Sequence, residues 1–288
     1  MKELYYEVGS HVFSLQMGEQ ESVVCGLRNY EPFAVSPRED IVFSLRIADS
    51  PLPDEGVTEE MRQQDEGQEI VVGHQATGEP RFEFWLNQRR AAVLVASTDY
   101  RQGEVYLEED RKFGINNALM VMYSLATACK KTALFHSSVV SYQNGAYMFL
   151  GVSGTGKSTH SSLWLKYIEG TELVNDDNPV VRILDGGEVR VYGSPWSGKT
   201  SCYRNVSYPL KALVDLSQAP ENRIRRLSGL NAYIALMSAI SGKRWSQREA
   251  DGIHETENLL AQTVPVWHLD CLPDAEAARL CCQTCSNL

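Results

Sequence analysis

Two stretches of the sequence match the pattern G-x-x-x-x-G-K-[S/T], whose residue types are suited to binding phosphate. They are GVSGTGKST at 151–159 and GSPWSGKT at 193–200. In such a loop the glycines let backbone N–H groups turn toward the phosphates, the lysine adds a positive charge, and the next hydroxyl can ligate Mg²⁺. A single nucleotide site needs one such loop, so the two matches have to be told apart by their surroundings.

The first loop lies where a strand meets a helix. Two β-rich runs flank Asn144-Gly145, a dipeptide typical of a two-residue turn, and the second run leads into the loop. Apolar residues at helical spacing over 162–168 predict a helix behind it, and a helix start attracts anions. We therefore expect a nucleotide triphosphate to bind at Gly151, Ser153, Gly154, Thr155, Gly156, Lys157, Ser158 and Thr159.

The second match lacks these surroundings. Pro195 has no N–H to offer a phosphate, and no helical period follows it. Its loop instead follows a predicted hairpin that turns at Gly186-Gly187, which returns the chain to the level of Asp176 and Asp177. We expect this loop to form a wall of the same site and to contact the substrate that accepts phosphate, through Ser194, Ser197 and Lys199.

Asp176 and Asp177 end an apolar strand shortly after the first loop, which suits a Mg²⁺ ligand and a catalytic base. The alternative is a structural Asp-Asp-Asn-Pro turn.

In a hairpin that turns at Asn144-Gly145, His136 faces Ser153, where it could handle a proton or contact the γ-phosphate. A histidine with a packing role is the alternative there.

Composition excludes some classes of partner. The chain of 288 residues carries 27 Lys and Arg against 37 Asp and Glu, a net charge of −10, which argues against nucleic acid. No apolar stretch is long enough for a signal peptide or a membrane span, so we expect a cytoplasmic protein without membrane contact. Cys282 and Cys285 form a C-x-x-C without a second half-site, which favours reduced thiols in a helical tail over a redox pair or a zinc site.

The secondary structure that the sequence predicts changes near residue 114. Before it, strands are predicted over 41–47, 81–86, 91–97 and 104–107, with an exposed acidic loop over 50–68. A buried helix is predicted over 115–129. The sequence thus predicts a β-rich domain over 1–113 and a nucleotide-binding domain over 114–288.

The span from about 134 to 181 resembles the HPr kinase/phosphorylase family and, more distantly, the core of phosphoenolpyruvate carboxykinases. The resemblance is carried by His136, the loop GVSGTGKST and the strand that ends in Asp176-Asp177. It is strongest to HPr-kinase-like proteins that place a β-rich segment before the kinase core, which share segments like GSPWSGKT, 222–228 and 265–278. The resemblance implies an α/β fold with a mixed-sheet P-loop core. It also implies phosphoryl transfer in which the histidine and the acids take part.

The sequence also departs from that family. The segment with which true HPr kinase/phosphorylases organise a hexamer and its phosphorylase activity is not found, and YRNVSYPLKALVDLSQ at 203–218 stands in its place. HPr as the substrate and the reverse reaction are therefore in doubt. The chain is also too short for a complete phosphoenolpyruvate carboxykinase, which argues against decarboxylation.

Together these features predict a kinase that uses ATP and Mg²⁺ to phosphorylate a hydroxyl of a small molecule, a peptide or a protein. We take Ser158 and Asp176 as metal ligands, although the residues leave open which acid of the pair is the base. Arg204, Arg223 and Arg225 are candidates to bind an anionic acceptor, with a solvated surface position as the alternative. A nucleotide-binding regulator without transfer activity and a peptide-presenting scaffold are the alternative functions. Assembly into a homo-oligomer is left open.

Overall fold

The computed structural model describes residues 2–18, 26–198, 200–242 and 246–286. The chain divides into two compact units, Met1–Thr127 and Ala128–Leu288. The sequence places the boundary earlier, at residue 113, ahead of the predicted helix. In the structure this helix packs on strands of the first unit and is part of it.

Within the residues that the structure describes, the first unit is a nine-stranded mixed sheet with one α-helix packed on it. Its strands are β1 (Lys2–Val8), β2 (His11–Met17), β3 (Ala34–Val35), β4 (Ile41–Ile47), β5 (Thr58–Asp65), β6 (Gln68–His74), β7 (Pro80–Leu86), β8 (Arg89–Ala96) and β9 (Gln102–Leu107). Their order is β3-β1-β2-β4-β9-β8-β7-β6-β5. A 3₁₀ helix spans Arg28–Phe33, and helix α1 spans Arg111–Thr127. The four strands predicted from alternating apolar residues are confirmed as β4, β7, β8 and β9.

The acidic segment 50–68 is not a loop throughout, as its composition predicts. Thr58–Asp65 forms β5, the edge strand of the sheet, and seven of its eight residues are exposed. An edge strand with solvent on both faces needs no alternation of apolar and polar residues, so the usual strand signal is missing. Charged side chains on such an edge also discourage pairing with other chains.

The second unit is a mixed sheet with helices packed against it. Its strands are β10 (Thr132–Phe135), β11 (Ser137–Tyr142), β12 (Gly145–Leu150), β13 (Glu172–Asp177), β14 (Val180–Ile183), β15 (Val189–Tyr192), β16 (Ser207–Gln218), β17 (Arg223–Leu227), β18 (Ile240–Ser241) and β19 (Val266–Cys271). Its helices are α2 (Lys157–Tyr167), α3 (Gly229–Met237), α4 (Gln247–Thr263) and α5 (Ala275–Ser286). One path of neighbours runs β13-β11-β12-β16-β15-β14-β10-β18, and β19 joins β16 and β17.

Strand β12 lies inside this sheet and ends directly before the first glycine loop. It pairs antiparallel with β11 on one side and parallel with β16 on the other. Tyr147 and Phe149 contribute to one apolar core, whereas Met148 and Leu150 contribute to another. A strand that is buried on both faces reads as a continuous apolar run, which is how AYMFL appears in the sequence.

Both predicted hairpins form, but each turns elsewhere than predicted. In the first, Gln143 and Asn144 adopt φ of 48° and 60°, and Tyr142 pairs with Gly145. Gly145 is outside this turn, and a Cβ there would lie 2.5 Å from Cγ of the exposed Lys211 side chain. The expected pairing of Val140 with Phe149 is thus wrong, since Val140 pairs with Tyr147.

The second hairpin is off by one residue. Val181 pairs with Val191 and Ile183 with Val189. The Leu184 N–H also donates to the Glu188 carbonyl at 2.8 Å, so that three residues, 185–187, rather than two form the loop. The two glycines, Gly186 and Gly187, adopt φ of 102° and 88° within it. This register places Val181 and Val191, both fully buried, opposite each other, which the predicted register does not do.

The C-terminal cysteines lie in helix α5 as predicted. Cys281, Cys282 and Cys285 are buried in the core that also contains Phe149 and Trp164. All cysteines that the structure describes are free thiols. Among the same described residues, no helix combines the length and the apolar character that a membrane crossing requires.

Helix α2 carries a buried histidine whose charge state is set by the core. His160 is 2% exposed, packs edge-on against Phe149, and accepts a hydrogen bond of 3.2 Å from Nε1 of Trp164. Burial lowers the pKa of His160 to about 4. The ring is therefore neutral in the folded protein at pH 7, and it gains a proton on unfolding below about pH 6.5.

We predict that His160 makes the fold less stable in mild acid. Between pH 6.5 and 4 the unfolded chain binds a proton at this residue and the folded chain does not, so the stability falls as the pH falls through this window. By pH 4.5 the loss from this residue should reach about 2–3 kcal/mol. Urea unfolding of the wild type and of His160→Gln at pH 7 and pH 4.5 measures it. Equal losses of unfolding free energy in both proteins would contradict the prediction.

Candidate functional site

The loop between β12 and α2 adopts a conformation that depends on its glycines. Gly151, Gly154 and Gly156 have φ of 140°, 79° and 108°, a region that residues with a Cβ rarely adopt. Helix α2 begins directly after the loop, and its first turn is closed by His160 N–H donating to the Gly156 carbonyl at 2.8 Å. Ser153, Gly154, Ser158 and Thr159 are exposed at this helix start, and the structure thus brings all eight predicted loop residues together.

Lys157 lies under this loop rather than in solvent. Its side chain is 8% exposed, and Nζ donates to the carbonyls of Gly151 at 2.9 Å and Val152 at 3.3 Å. Burial lowers the pKa of Lys157, and the charges of Asp177 and Asp176 oppose that shift. The ammonium group therefore donates to the loop, and its charge interacts with the charges of the acid pair.

Two further contacts fix the loop, and sequence reasoning missed one of them. Thr155 Oγ1 donates to the Val152 carbonyl at 2.6 Å, which closes the loop on itself. Gln218 Nε2 donates to the carbonyls of Gly154 at 3.2 Å and Thr155 at 3.4 Å. Gln218 is the last residue of β16, and only the parallel pairing of β16 with β12 brings it to the loop.

The acid pair reaches the loop through β11. Ser137 pairs with Asp177 and Ser138 with Asp176 in the antiparallel β11–β13 ladder, while β11 also pairs with β12. Two strand spacings of about 4.8 Å each therefore separate the acids from the strand that delivers the loop. Asp177 has φ of 131°, a strained value for a non-glycine residue of the kind that clusters at functional sites.

His136 lies beside Asp177, though not by the predicted route. It falls between β10 and β11 and donates its N–H to the Ala239 carbonyl at 2.8 Å, so the expected pairing with Ser153 is wrong. Its Nε2 is 3.6 Å from Oδ1 of Asp177. The prediction that the histidine and the acids share one region is met, because β11 begins directly after His136 and pairs with β13.

Asp177 is the acid whose protonation the site perturbs. Burial raises the pKa of Asp177, and the charge of Asp176 adds to this effect. His136, Lys157 and a 2.7 Å hydrogen bond from Nδ2 of Asn178 act in the opposite direction. A half-buried carboxyl with a raised pKa is the kind of group that serves as a general base.

The second glycine-containing loop closes over the acid pair as predicted. Ser197 forms an isolated antiparallel β-bridge with Asp177 through the backbone. The Gly198 N–H donates to the Asp176 carbonyl at 2.7 Å. A Cβ on Gly198 would lie 3.1 Å from Cβ of Asp177, so this approach is suited to glycine. The backbone of the loop, more than its side chains, makes this wall of the site.

The serines of this loop hold the loop itself. Ser194 is fully buried, and its Oγ donates to the Asn178 carbonyl at 2.6 Å and accepts from Asn175 Nδ2 at 3.2 Å. Ser197 Oγ lies 3.2 Å from the Asp176 carbonyl. Asn175, which the sequence analysis missed, also donates to the Trp196 carbonyl at 3.2 Å. These contacts show Ser194 and Ser197 in positioning roles, and Lys199 lies outside the described residues.

Arg204 is engaged away from the acid pair. Its guanidinium donates to the Leu173 carbonyl at 2.6 Å and to Glu172 Oε2 at 2.6 Å, at the beginning of β13. Asp177 ends the same strand, about 13 Å further along. The expected contact with an anionic acceptor therefore does not fit this position. Arg223 and Arg225 are exposed on β17, which agrees with the alternative of a solvated surface position.

No three His, Cys, Asp or Glu side chains of the described residues form a cluster that could hold a metal ion alone. Ser158 is exposed at the start of α2, and Asp176 and Asp177 end β13, so hydroxyl and carboxylate oxygens are present at these two places. Mg²⁺ in phosphoryl-transfer enzymes is commonly held by one or two carboxylates together with substrate phosphates and water. The chemistry of these oxygen donors suits Mg²⁺ held in that way.

Comparison with known proteins gives a weak similarity of fold. No model of a protein family matches the chain, and no curated protein matches it. Among solved structures, the chain is similar to the Hpr(Ser) kinase/phosphatase from Coxiella burnetii. The sequence identity is 13% and the TM-score is 0.32, over 54% of this chain and 88% of that protein.

Proposed function

We propose that the protein is an ATP- and Mg²⁺-dependent phosphotransferase with a carboxykinase-like P-loop core. The observation that carries the proposal is the placement of Lys157. A buried ammonium group touches the glycine loop on one side and is close enough to Asp176 and Asp177 on the other to interact with their charges. A phosphate-binding loop, a cation and a carboxylate pair are the parts that phosphoryl transfer requires.

The loop and the start of α2 are the binding site for the phosphates. Backbone N–H groups at a glycine loop and at a helix start attract anions, and Lys157 adds a full positive charge. The exposed hydroxyls of Ser153, Ser158 and Thr159 surround the same position. These residues fit a triphosphate, and this role needs no further cation from the chain.

Asp176 and Ser158 are the proposed metal ligands. Asp176 is 5% exposed, and its backbone carbonyl accepts a hydrogen bond from Gly198 in the second loop. Ser158 is the second residue of α2 and is exposed toward the loop. Mg²⁺, when bound, supplies positive charge to the phosphate oxygens in the transition state.

Asp177 is the proposed base. Its carboxylate accepts the proton of the acceptor hydroxyl as that oxygen attacks the γ-phosphorus, and the bond from the γ-phosphorus to the leaving oxygen of ADP breaks. The raised pKa of Asp177 makes it a better proton acceptor than an ordinary aspartate. His136, with Nε2 at 3.6 Å, stabilises the carboxylate between turnovers. The acceptor needs only a hydroxyl that can reach Asp177.

The first test is nucleotide binding. Mg²⁺-ATP at a hundredfold excess over its dissociation constant should stabilise the protein by about 2.7 kcal/mol, because it binds only the folded state. Lys157→Ala should lose most of this stabilisation. Lys166→Ala, on the exposed side of the same helix, is the matched control and should keep it. An unchanged melting temperature of the wild type at millimolar nucleotide would rule out the phosphate site.

The second test separates the two acids. Asp177→Asn should lower the rate of ADP formation with acceptor by about 100-fold or more while ATP affinity stays within about threefold, since a base acts on the acceptor. Asp176→Asn should instead raise the Mg²⁺ concentration needed for half-maximal rate. Asp185→Asn, in the exposed turn between β14 and β15, is the control.

The pH profile gives an independent readout for Asp177. The wild-type rate should fall in acid with an apparent pKa above 3.8, the ordinary value for aspartate. Asp177→Asn should lose that limb of the profile. If both acid variants transfer phosphate at the wild-type rate, the Asp-Asp pair is structural. If nucleotide binds but no acceptor from cell extract yields product, the protein is a nucleotide-binding regulator.

A further inference from the structure

A cleft of about 480 Å³ opens directly beside the proposed phosphate loop. One wall is the loop and the first turns of α2, including Thr155, Thr159 and Leu163. The opposite wall is formed where β16 and β19 end, including Pro220 and Pro273. The volume is within the range of about 300–1,000 Å³ that is usual for small-molecule sites.

The chemistry of this cleft differs from that of the loop next to it. None of the described residues that line it is Asp, Glu, Lys or Arg. Leu163, Ala219, Pro220, Leu272 and Pro273 give it apolar surface. A charged phosphate chain gains little in such a cleft, whereas an uncharged ring system is stabilised by contact with it. Because Thr155 and Gly156 belong to both the cleft and the loop, one ligand can occupy both.

His160 lines this cleft and has a donor to spare. Its Nε2 accepts the hydrogen bond from Trp164, whose indole can only donate, so the proton of the neutral ring is on Nδ1. That Nδ1 is buried and has no hydrogen-bond partner among the described residues. A buried N–H without an acceptor is unfavourable, and such a group in a native structure calls for a missing partner.

We infer that this cleft binds the nucleoside of the nucleotide whose phosphates the loop holds, and that Nδ1–H of His160 donates to an acceptor atom of the base. The inference rests on the proposed function, since it takes the loop as the phosphate site. In this inference His160 takes part in recognising the base of the nucleotide, in addition to its packing role. The apolar residues that line the cleft suit contact with the faces of a base.

The test compares Mg²⁺-ATP with Mg²⁺-tripolyphosphate, which has the phosphates but no nucleoside. Calorimetry on the wild type should give a dissociation constant for ATP at least about tenfold below that for tripolyphosphate. Ala219→Trp places an indole in the cleft and should remove this difference while tripolyphosphate affinity stays within about twofold. Ala219→Ser, which leaves the cleft open, is the matched control. Leu272→Trp, on the same wall at the end of β19, replaces Ala219→Trp if that variant does not fold.

The outcomes separate this inference from the proposed function. If the wild type binds tripolyphosphate but ATP no more tightly, or if ATP keeps its advantage in both tryptophan variants, the nucleoside does not occupy the cleft and the phosphate site still stands. If neither ligand binds, the phosphate site is wrong and the inference falls with it. Loss of the ATP advantage in the tryptophan variant, with tripolyphosphate binding intact, supports both.

Two substitutions test the role of His160. His160→Asn keeps an N–H donor near the position of Nδ1, whereas His160→Gln keeps the acceptor for Trp164 but withdraws that donor. ATP affinity should fall about three- to tenfold in His160→Gln and less than about twofold in His160→Asn. Tripolyphosphate affinity should not change in either. Equal ATP affinities of the two variants, or a parallel loss of tripolyphosphate binding, would show that His160 acts only through packing.

Discussion

A cation that is taken out of water has to be surrounded by oxygen atoms, and the C-terminal unit meets this requirement at Lys157. The carbonyls of Gly151 and Val152 accept hydrogen bonds from it, and the acids at the end of β13 supply the compensating charge. The first carbonyl can turn inward because Gly151 adopts a φ of 140°. The shape of the loop and the charge of the site thus depend on one ammonium group, which the Gly151 and Val152 carbonyls hold in place.

Strand β11 connects the two halves of this arrangement. A strand inside a sheet has to satisfy its hydrogen bonds on both edges, and β11 does so with β12 on one side and β13 on the other. This requirement fixes the acids about 10 Å from β12, the strand that leads into the loop. The fit is not free of strain, since the β11–β13 register shifts between Val139 and Val140 and Asp177 adopts φ of 131°. The hydrogen bond from Gly198 to the Asp176 carbonyl helps to hold the strained end in place.

The sequence predicts the parts of the site better than the contacts between them. The loop, the helix after it, both hairpins and the strand ending in Asp176-Asp177 follow from local patterns of glycine, apolar spacing and turn residues, which act over a few positions. The partners of Gln218 and Asn175 depend on which strands become neighbours, and local patterns do not determine this. Likewise β5 has no apolar alternation to reveal it, because its faces are exposed. The register errors arise because Gly145, Gly186 and Gly187 fit more than one turn position.

The two matches to G-x-x-x-x-G-K-[S/T] illustrate the same limit. In both, glycine is required, but for different physical reasons. Gly154 and Gly156 have positive φ, and within 4 Å a Cβ on Gly154 would meet nothing, so the chain bends there with open space above it. Gly193 has a close neighbour instead: a Cβ there would lie 2.0 Å from the Arg204 carbonyl.

The surroundings of the second match are correspondingly different. Ser194 and Trp196 of this loop are buried, whereas residues 152–154 of the first loop are exposed. No helix directly follows the second loop to add its N–H groups. A phosphate needs an open concave set of donors, whereas a wall needs backbone that can pack against its neighbour. The same residue pattern therefore occurs in two different structural settings. The first loop connects a strand to a helix, whose first N–H groups are free to donate, and the second loop has no such connection.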